Sequence, residues 1–385
     1  MKITKIQDNE SIQFTPVDSQ KCYICHGNRI FYENNTYICM DCNSKANQEC
    51  YMMERKIEWN IPELKIPFTL SSRQKAASDY FVELFKNHQD GKLLAVCGAG
   101  KTEIMYGVIY EALLNKKKVC FAIPRKEIVK ELYQRIKPIF PNTVIKALYE
   151  SSYDDSNAPL LISTVHQLLH YESEFDLIII DEVDAFPFKD NKYLERLVNK
   201  SLVSGGVKIL MSATMKKRKD TYLINRRHHL GSLDKPKIVL CDDFLEKTKE
   251  IIALTKEKNR KLIIYVPRIN DAISLSNILN IECVSSKEKN IKEIIDDFRK
   301  GASIALVSTT VLERGVTFKY LDVLVYNAEH DVFNKETLIQ IAGRVGRSKD
   351  DKNGNIYFLA KRNMVKFLSV IGYVKKMNRD NGYDL

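Results

Sequence analysis

Four short runs carry residue types suited to phosphate chemistry, in a fixed order over about 250 residues. The first is Ala95-Val96-Cys97-Gly98-Ala99-Gly100-Lys101-Thr102, flanked by an apolar strand-like run and a helical stretch from Glu103. Gly98 and Gly100 let the backbone turn tightly, so that N–H groups around Ala99 point at a phosphate. The helix N-terminus behind them adds partial positive charge. Lys101 is expected to reach β- and γ-phosphates, and Thr102 to place its hydroxyl on Mg²⁺.

The second run, Asp181-Glu182-Val183-Asp184, ends the apolar segment Leu177–Ile180, where a parallel sheet presents ligands at its carboxyl edge. Asp181 is the candidate Mg²⁺ ligand, through water. Glu182 is the candidate to polarise an attacking water. A helix cap is the plain alternative, and it loses weight once an upstream phosphate loop is admitted. Ser212-Ala213-Thr214 follows, and then Gln340-Ile341-Ala342-Gly343-Arg344-Val345-Gly346-Arg347. The spacing of Arg344 and Arg347 predicts two guanidiniums on one helical face, with glycines permitting close approach. Arginines brought from a second domain stabilise charge on a transferred phosphoryl group; a solvated basic face is the other reading. Together the runs describe an ATP site divided between two domains, the arrangement of a motor on nucleic acid.

Cys22-x2-Cys25 and Cys39-x2-Cys42, thirteen residues apart, form a closed set of four thiolates suited to a tetrahedral structural Zn²⁺. His26 reads as a neighbour of that set, and Cys50 as an ordinary thiol. Nine cysteines, an odd number, argue against a disulfide framework.

These groups need scaffolds. Residues 1–60 are too short and polar to bury a core, so a metal staple is expected there. Residues 61–235 alternate strand-like runs (Leu93–Val96, Val119–Ile123, Leu160–Ser163, Leu177–Ile180, Val207–Met211) with amphipathic helices. The grammar restarts in 236–385 with Leu262–Val266, Ile304–Val307, Val323–Tyr326 and Asn355–Leu359. Near-continuous apolar strands alternating with helices predict two tandem α/β units with parallel sheets, the basic stretch from Lys216 to His229 marking the boundary. A net charge of +11 suits a polyanionic partner, although a lysine-rich surface from an AT-rich genome would give it too. Without an apolar signal core or an 18-residue apolar run, a cytoplasmic location is expected, with peripheral attachment at the inner face of the membrane left open.

The ordered motifs resemble superfamily 2 helicases, and more narrowly the ComFA family of late-competence DNA-uptake ATPases, across nearly the whole chain. Asp181-Glu182-Val183-Asp184-Ala185-Phe186-Pro187-Phe188 and Ser308-Thr309-Thr310-Val311-Leu312-Glu313-Arg314-Gly315-Val316-Thr317-Phe318 are particularly similar. The resemblance implies RecA-like domains, ATP, Mg²⁺ and Zn²⁺ as cofactors, and a single-stranded DNA partner. It implies an adenine-recognising Gln74, a nucleotide-proximal Gly315, and strand contacts from Arg125, Thr164, Arg268, Thr309 and Thr310. Other competence proteins such as ComFC and DprA are the partners it suggests. Val183 departs from the DEAD pattern, and the extra domains of the primosomal helicase are not seen. The latter favours a translocase on single strands over an unwinding enzyme. A replication-restart or repair helicase is the alternative, and a catalytically dead scaffold is opposed by the intact Lys101, Asp181, Glu182, Arg344 and Arg347.

Overall fold

The fold is taken from a computed structural model that describes residues 22, 24–33, 36–43, 57, 59–149, 158–229, 231–285, 290–310, 318–347 and 350–379. Cys50 and Gly315, with the rest of 311–317, lie outside the described residues. Strands β1 (Ile30–Glu33) and β2 (Thr36–Cys39) form an antiparallel ribbon in which Ile30 faces Cys39. Elements α1 (Ser72–Lys86), β3 (Gly91–Ala95), α2 (Lys101–Leu114), β4 (Val119–Ile123), α3 (Lys126–Ile136), β5 (Ile145–Leu148) and β6 (Leu160–Thr164) follow. A 3₁₀ segment at Val165–His170 leads to β7 (Phe175–Ile180), α4 (Lys192–Ser201), β8 (Leu202–Ser212) and β9 (Thr221–Ile224).

The later half contains β10 (Lys237–Leu240), α5 (Phe244–Glu257), β11 (Lys261–Tyr265), α6 (Ile269–Leu279), β12 (Cys283–Val284), α7 (Ile291–Lys300) and β13 (Ala305–Ser308). It ends with β14 (Leu321–Val325), α8 (Lys335–Ala342), β15 (Ile356–Ala360) and α9 (Val365–Arg379). The strand orders are β5-β6-β4-β7-β8-β3-β9 and β10-β15-β14-β11-β13-β12. The ladders β5–β6, β6–β4, β4–β7 and β7–β8 in the first sheet are parallel, as are those of the second.

The continuous apolar character of the central strands has a direct cause in the packing. Along β11, Ile263 and Tyr265 enter one core with Phe298, Phe333 and Phe358, whereas Leu262 and Ile264 enter another with Ile251, Ala272 and Leu275. Each face is covered by helices, so neither parity can be polar. The chain separates into two compact units, and Leu94–Gly100 cluster with the second, which otherwise begins at Leu223.

One sequence expectation is corrected. Helix α8 stops at Ala342, where Gly343 caps it, so Arg344 and Arg347 lie in the following turns and not on one helical face. Gly346, at φ 66°, turns the chain there in the left-handed region that favours glycine. The cysteines pack against the first unit. Cys22, Ile24, Cys25 and Cys39 belong to the same buried cluster as Phe188, Leu194, Leu197 and Val198 of the first unit.

Candidate functional site

The first unit brings Lys101 and Asp181 together. Lys101 opens α2, Asp181 follows β7, and Nζ lies 3.5 Å from Oδ1. Asp181 is seated because its N–H donates to Ala122 O of β4 at 3.1 Å. Its Oδ1 accepts the N–H of Glu182 at 2.8 Å. Glu182 holds φ 59°, a left-handed conformation that costs a non-glycine residue about 1–3 kcal/mol and concentrates at functional sites. The acidic loop is tied to the strand-end turn after β8: Val183 N–H donates to Met211 O at 3.2 Å, and Thr214 Oγ1 donates a short hydrogen bond to Asp184 Oδ2. Ser212 Oγ shapes that turn by accepting the N–H groups of Thr214 and Met215. Asp184 and Thr214 therefore act as a pair, which their separate motifs did not disclose. Thr102 is buried in the first turn of α2. Gln74 is buried in the first turn of α1, where its Oε1 accepts from Ser71 N–H at 3.0 Å and Ser71 O–H at 3.1 Å in a capping box.

In the loop before Lys101, Gly98 and Gly100 have φ 84° and 81°, as a phosphate cradle demands. Ala99 is buried, and its N–H donates to Val96 O at 3.0 Å. Within the second unit this loop meets the arginine segment: a Cβ on Gly343 would run into the side chain of Cys97. Arg344 is buried, and Arg347 Nε donates to Gly343 O at 2.7 Å. Between the loop and the segment lies Arg227, 1% exposed, which a sequence reading assigns only to a basic connector. The four-residue run Arg226-Arg227-His228-His229 was the available signal.

The four cysteines converge: all four Sγ atoms lie within 4.8 Å of one another. Cys22 and Cys42 sulfurs are 3.6 Å apart, as are those of Cys25 and Cys39. Zinc–sulfur bonds of about 2.3 Å in a tetrahedron give edges of roughly 3.8 Å, so the donor set fits zinc. Hydrogen bonds with Cys22 and Cys42, and then burial, raise the Cys25 thiol far above its ordinary value. The Cys25 contact lowers Cys22, but Cys42 and burial outweigh it and leave that thiol at about 12. A divalent cation would reverse that preference by binding thiolate. Asp41, its side chain 2% exposed, pairs with Arg29 within the module and holds the module to α4 through an ion pair with Arg196. Lys200 Nζ adds donations to Ile24 O at 2.6 Å and Leu169 O at 3.0 Å. His26 stands aside from the sulfurs, 3.3 Å from Glu172.

Residues 67–217 match the family of the type III restriction enzyme res subunit, and residues 244–349 the helicase conserved C-terminal domain. The competence protein ComFA of Bacillus subtilis is 33% identical over 84% of this chain and 75% of its own length. ComFA of Streptococcus pneumoniae is 33% identical over 90% of this chain and 87% of its own. The chain belongs to the ComFA family. It is thus an ATP-hydrolysing superfamily 2 helicase of the competence system, using ATP and Mg²⁺. A solved structure of Saccharomyces cerevisiae Dbp5 bound to RNA and ADP BeF3 superposes with a TM-score of 0.58 at 17% identity, covering 81% of this chain and 92% of that one, a likeness of fold.

Within this ComFA-family chain, the residues expected to touch a strand sit at the carboxyl ends of parallel strands. Arg125 follows β4 at the N-cap of α3, and Thr164 ends β6. In the second unit, exposed Arg268 follows β11 at the N-cap of α6, and buried Thr309 and half-buried Thr310 follow β13. Among the described residues, no helix is long and apolar enough to cross a membrane.

Proposed function

We propose that this ComFA-family ATPase is stimulated by single-stranded DNA and moves along it to drive DNA uptake in natural transformation. The observation that supports this most is the composition of one sheet edge in the first unit. Arg125 follows β4, Thr164 ends β6, Asp181 and Glu182 follow β7, and Thr214 follows β8, all at carboxyl ends of parallel strands. Strand-contacting and nucleotide-contacting residues therefore share a framework, and a shift in one loop is felt by the next.

In this reading Lys101 exchanges its Asp181 partner for phosphate oxygens. Asp181 and Thr102 hold Mg²⁺, and Glu182 orients the attacking water. Gln74 and Gly315 border the nucleotide, and Arg344 and Arg347 neutralise charge developing on the phosphoryl group. Thr214, bonded to Asp184, carries the state of the acidic loop to the strand-end turn. Arg268, Thr309 and Thr310 grip the same backbone as Arg125 and Thr164. The DNA contacts are directed at phosphates, so little sequence preference is expected. Cys22, Cys25, Cys39 and Cys42 hold one Zn²⁺, and ComFC and DprA are the protein partners. The zinc module, the two α/β domains and their limits at 1–60, 61–235 and 236–385 are the corresponding division of labour.

The test is ATP turnover by the whole protein with single-stranded DNA, blunt duplex DNA or single-stranded RNA present. Single-stranded DNA should give the largest stimulation, abolished in Lys101→Ala. Equal or greater stimulation by duplex would remove the single-strand reading.

A further inference from the structure

Arg227 is buried where a guanidinium is expensive. Its Nη1 donates to Gly346 O, but Nε and Nη2 are buried without a hydrogen-bond partner. Its Cγ, Cδ and Nε lie 3.5, 3.6 and 3.7 Å from where a Cβ of Gly98 would stand, so the side chain lies directly against the phosphate loop. Burial, and then the positive charge of Arg347, push its pKa down to about 10, only partly offset by Asp234, Cys97 and Asp351.

The two histidines that follow fix this arrangement, one at the glycine turn and one at Gly346. His228 Nδ1 donates to Gly98 O at 3.0 Å. His229 Nδ1 accepts the Gly231 N–H at 3.1 Å, so its proton is on Nε2, which donates to Gly346 O at 3.0 Å. Because His229 also serves Gly346 O, Arg227 is not needed to satisfy that carbonyl. A structural role leaves two buried donors and an only partly compensated charge unexplained, since such groups are ordinarily paired.

We infer that Arg227 is a phosphate ligand: Nε and Nη2 bind an anionic oxygen of the nucleotide held by the Gly98–Gly100 turn. It would be a third arginine for the nucleotide, beside Arg344 and Arg347, and it rests on the phosphate-loop reading. Through Nη1 and Gly346 O it joins the occupied loop to the arginine segment, so phosphate binding is felt at Arg347.

The experiment measures Mg-ATP affinity by calorimetry, thermal shift with inorganic tripolyphosphate, and the midpoint of unfolding without ligand. The whole chain is used as wild type, Arg227→Gln, Arg227→Met and Lys101→Ala. One charge-assisted hydrogen bond corresponds to roughly 10- to 100-fold in affinity. Both Arg227 variants should therefore bind Mg-ATP about 10- to 100-fold more weakly and lose most of the tripolyphosphate shift. Their ligand-free midpoints should equal or exceed that of the wild type. A lowered midpoint with unchanged Mg-ATP affinity would make Arg227 a packing residue and overturn the inference. Unchanged affinity in the Arg227 variants with loss in Lys101→Ala overturns it alone; unchanged affinity in all three overturns the phosphate-loop reading with it.

Discussion

Arg196→Ala should loosen the cysteine module on the first unit without opening its four-sulfur site. Asp41 is almost wholly buried, and its carboxylate has two cationic partners, Arg29 within the module and Arg196 on α4. Only the second pair crosses from the module to the helix. Gly27 makes room for it, because a Cβ there would run into Asp41 Oδ2. Deleting Arg196 leaves Asp41 with Arg29 but removes a charge-assisted hydrogen bond worth about 1.5–3 kcal/mol. Arg196 is 32% exposed, which places the loss toward the low end, about 2 kcal/mol. At 1.4 kcal/mol per decade, the opened population rises roughly 30-fold. Lys200, still bonded to Ile24 O, keeps the module from leaving altogether. Hydrogen exchange on the amides of Cys22, His26 and Met40, all bonded within the module, is the assay. If the docking argument holds, module amides stay protected while the Arg196 side of α4 becomes accessible to proteolysis and the zinc content stays at one. An α4 no more accessible than in the wild type would refute it; so would zinc loss, since the sulfurs have no bond to Arg196.

Glu182→Gln should bind Mg-ATP and single-stranded DNA but turn over at least 100-fold more slowly, since the amide keeps shape and loses the basic oxygen; loss of nucleotide binding would make Glu182 structural. Substituting Cys22 and Cys25 with serine should release one zinc per chain, seen by metal analysis, and lower the stability of the first unit as well. The reason is that Cys22 and Cys25 share a buried cluster with Phe188 and Leu194; an unaltered unfolding midpoint would show the module to be energetically separate. Arg344→Ala and Arg347→Ala should each lower turnover with a smaller effect on Mg-ATP affinity, and unchanged turnover in both would dismiss them from the site. Asp234→Asn should stabilise the protein at pH 7.5. Burial, only partly countered by Arg227, pushes the Asp234 carboxyl up to about 6. The folded state thus holds the proton more tightly, and stability is lost as pH rises from the ordinary carboxylate value through about 6. The advantage of the variant in thermal midpoint should shrink below about pH 5; a gap that does not depend on pH would contradict the burial argument.

The central strands were legible because burial on both faces leaves a largely apolar signature: β3, β4, β6, β7, β11, β13, β14 and β15 carry one, and β8 carries one from Val207 to Met211. The strands without such a signature, β5, β9, β10 and β12, are the four edges of the two sheets. An edge strand has one neighbour and less cover, as in β10, half-buried at Ile238 and Val239 and exposed at both ends. The glycine turn before Lys101 and the acidic pair at the end of β7 were visible because their signals are local: glycines at φ 84° and 81°, and carboxylates at a strand end. The end of α8 could have been anticipated from Gly343 and was not, since arginines three apart imitate a helical face.

What local sequence cannot carry is a partnership across many positions. Asp41 and Arg196 stand 155 residues apart, and Arg227 reaches Gly346 over 119. Each of these groups is unremarkable until its burial is known. The consequence for Asp41 is functional as well as structural. The eleven-residue path from Asp181 to α4 passes through Phe188, which packs in the same cluster as the cysteines, before reaching Arg196. A helix pinned to the cysteine module by an ion pair and by Lys200 thus anchors the far end of the loop that bears Glu182. With Thr214 and Val183 fixing the near end, the strained φ of Glu182 is over-determined from both sides, as a residue held at about 1–3 kcal/mol above relaxed backbone must be. Loosening either anchor should let Glu182 relax and turnover fall before nucleotide affinity does.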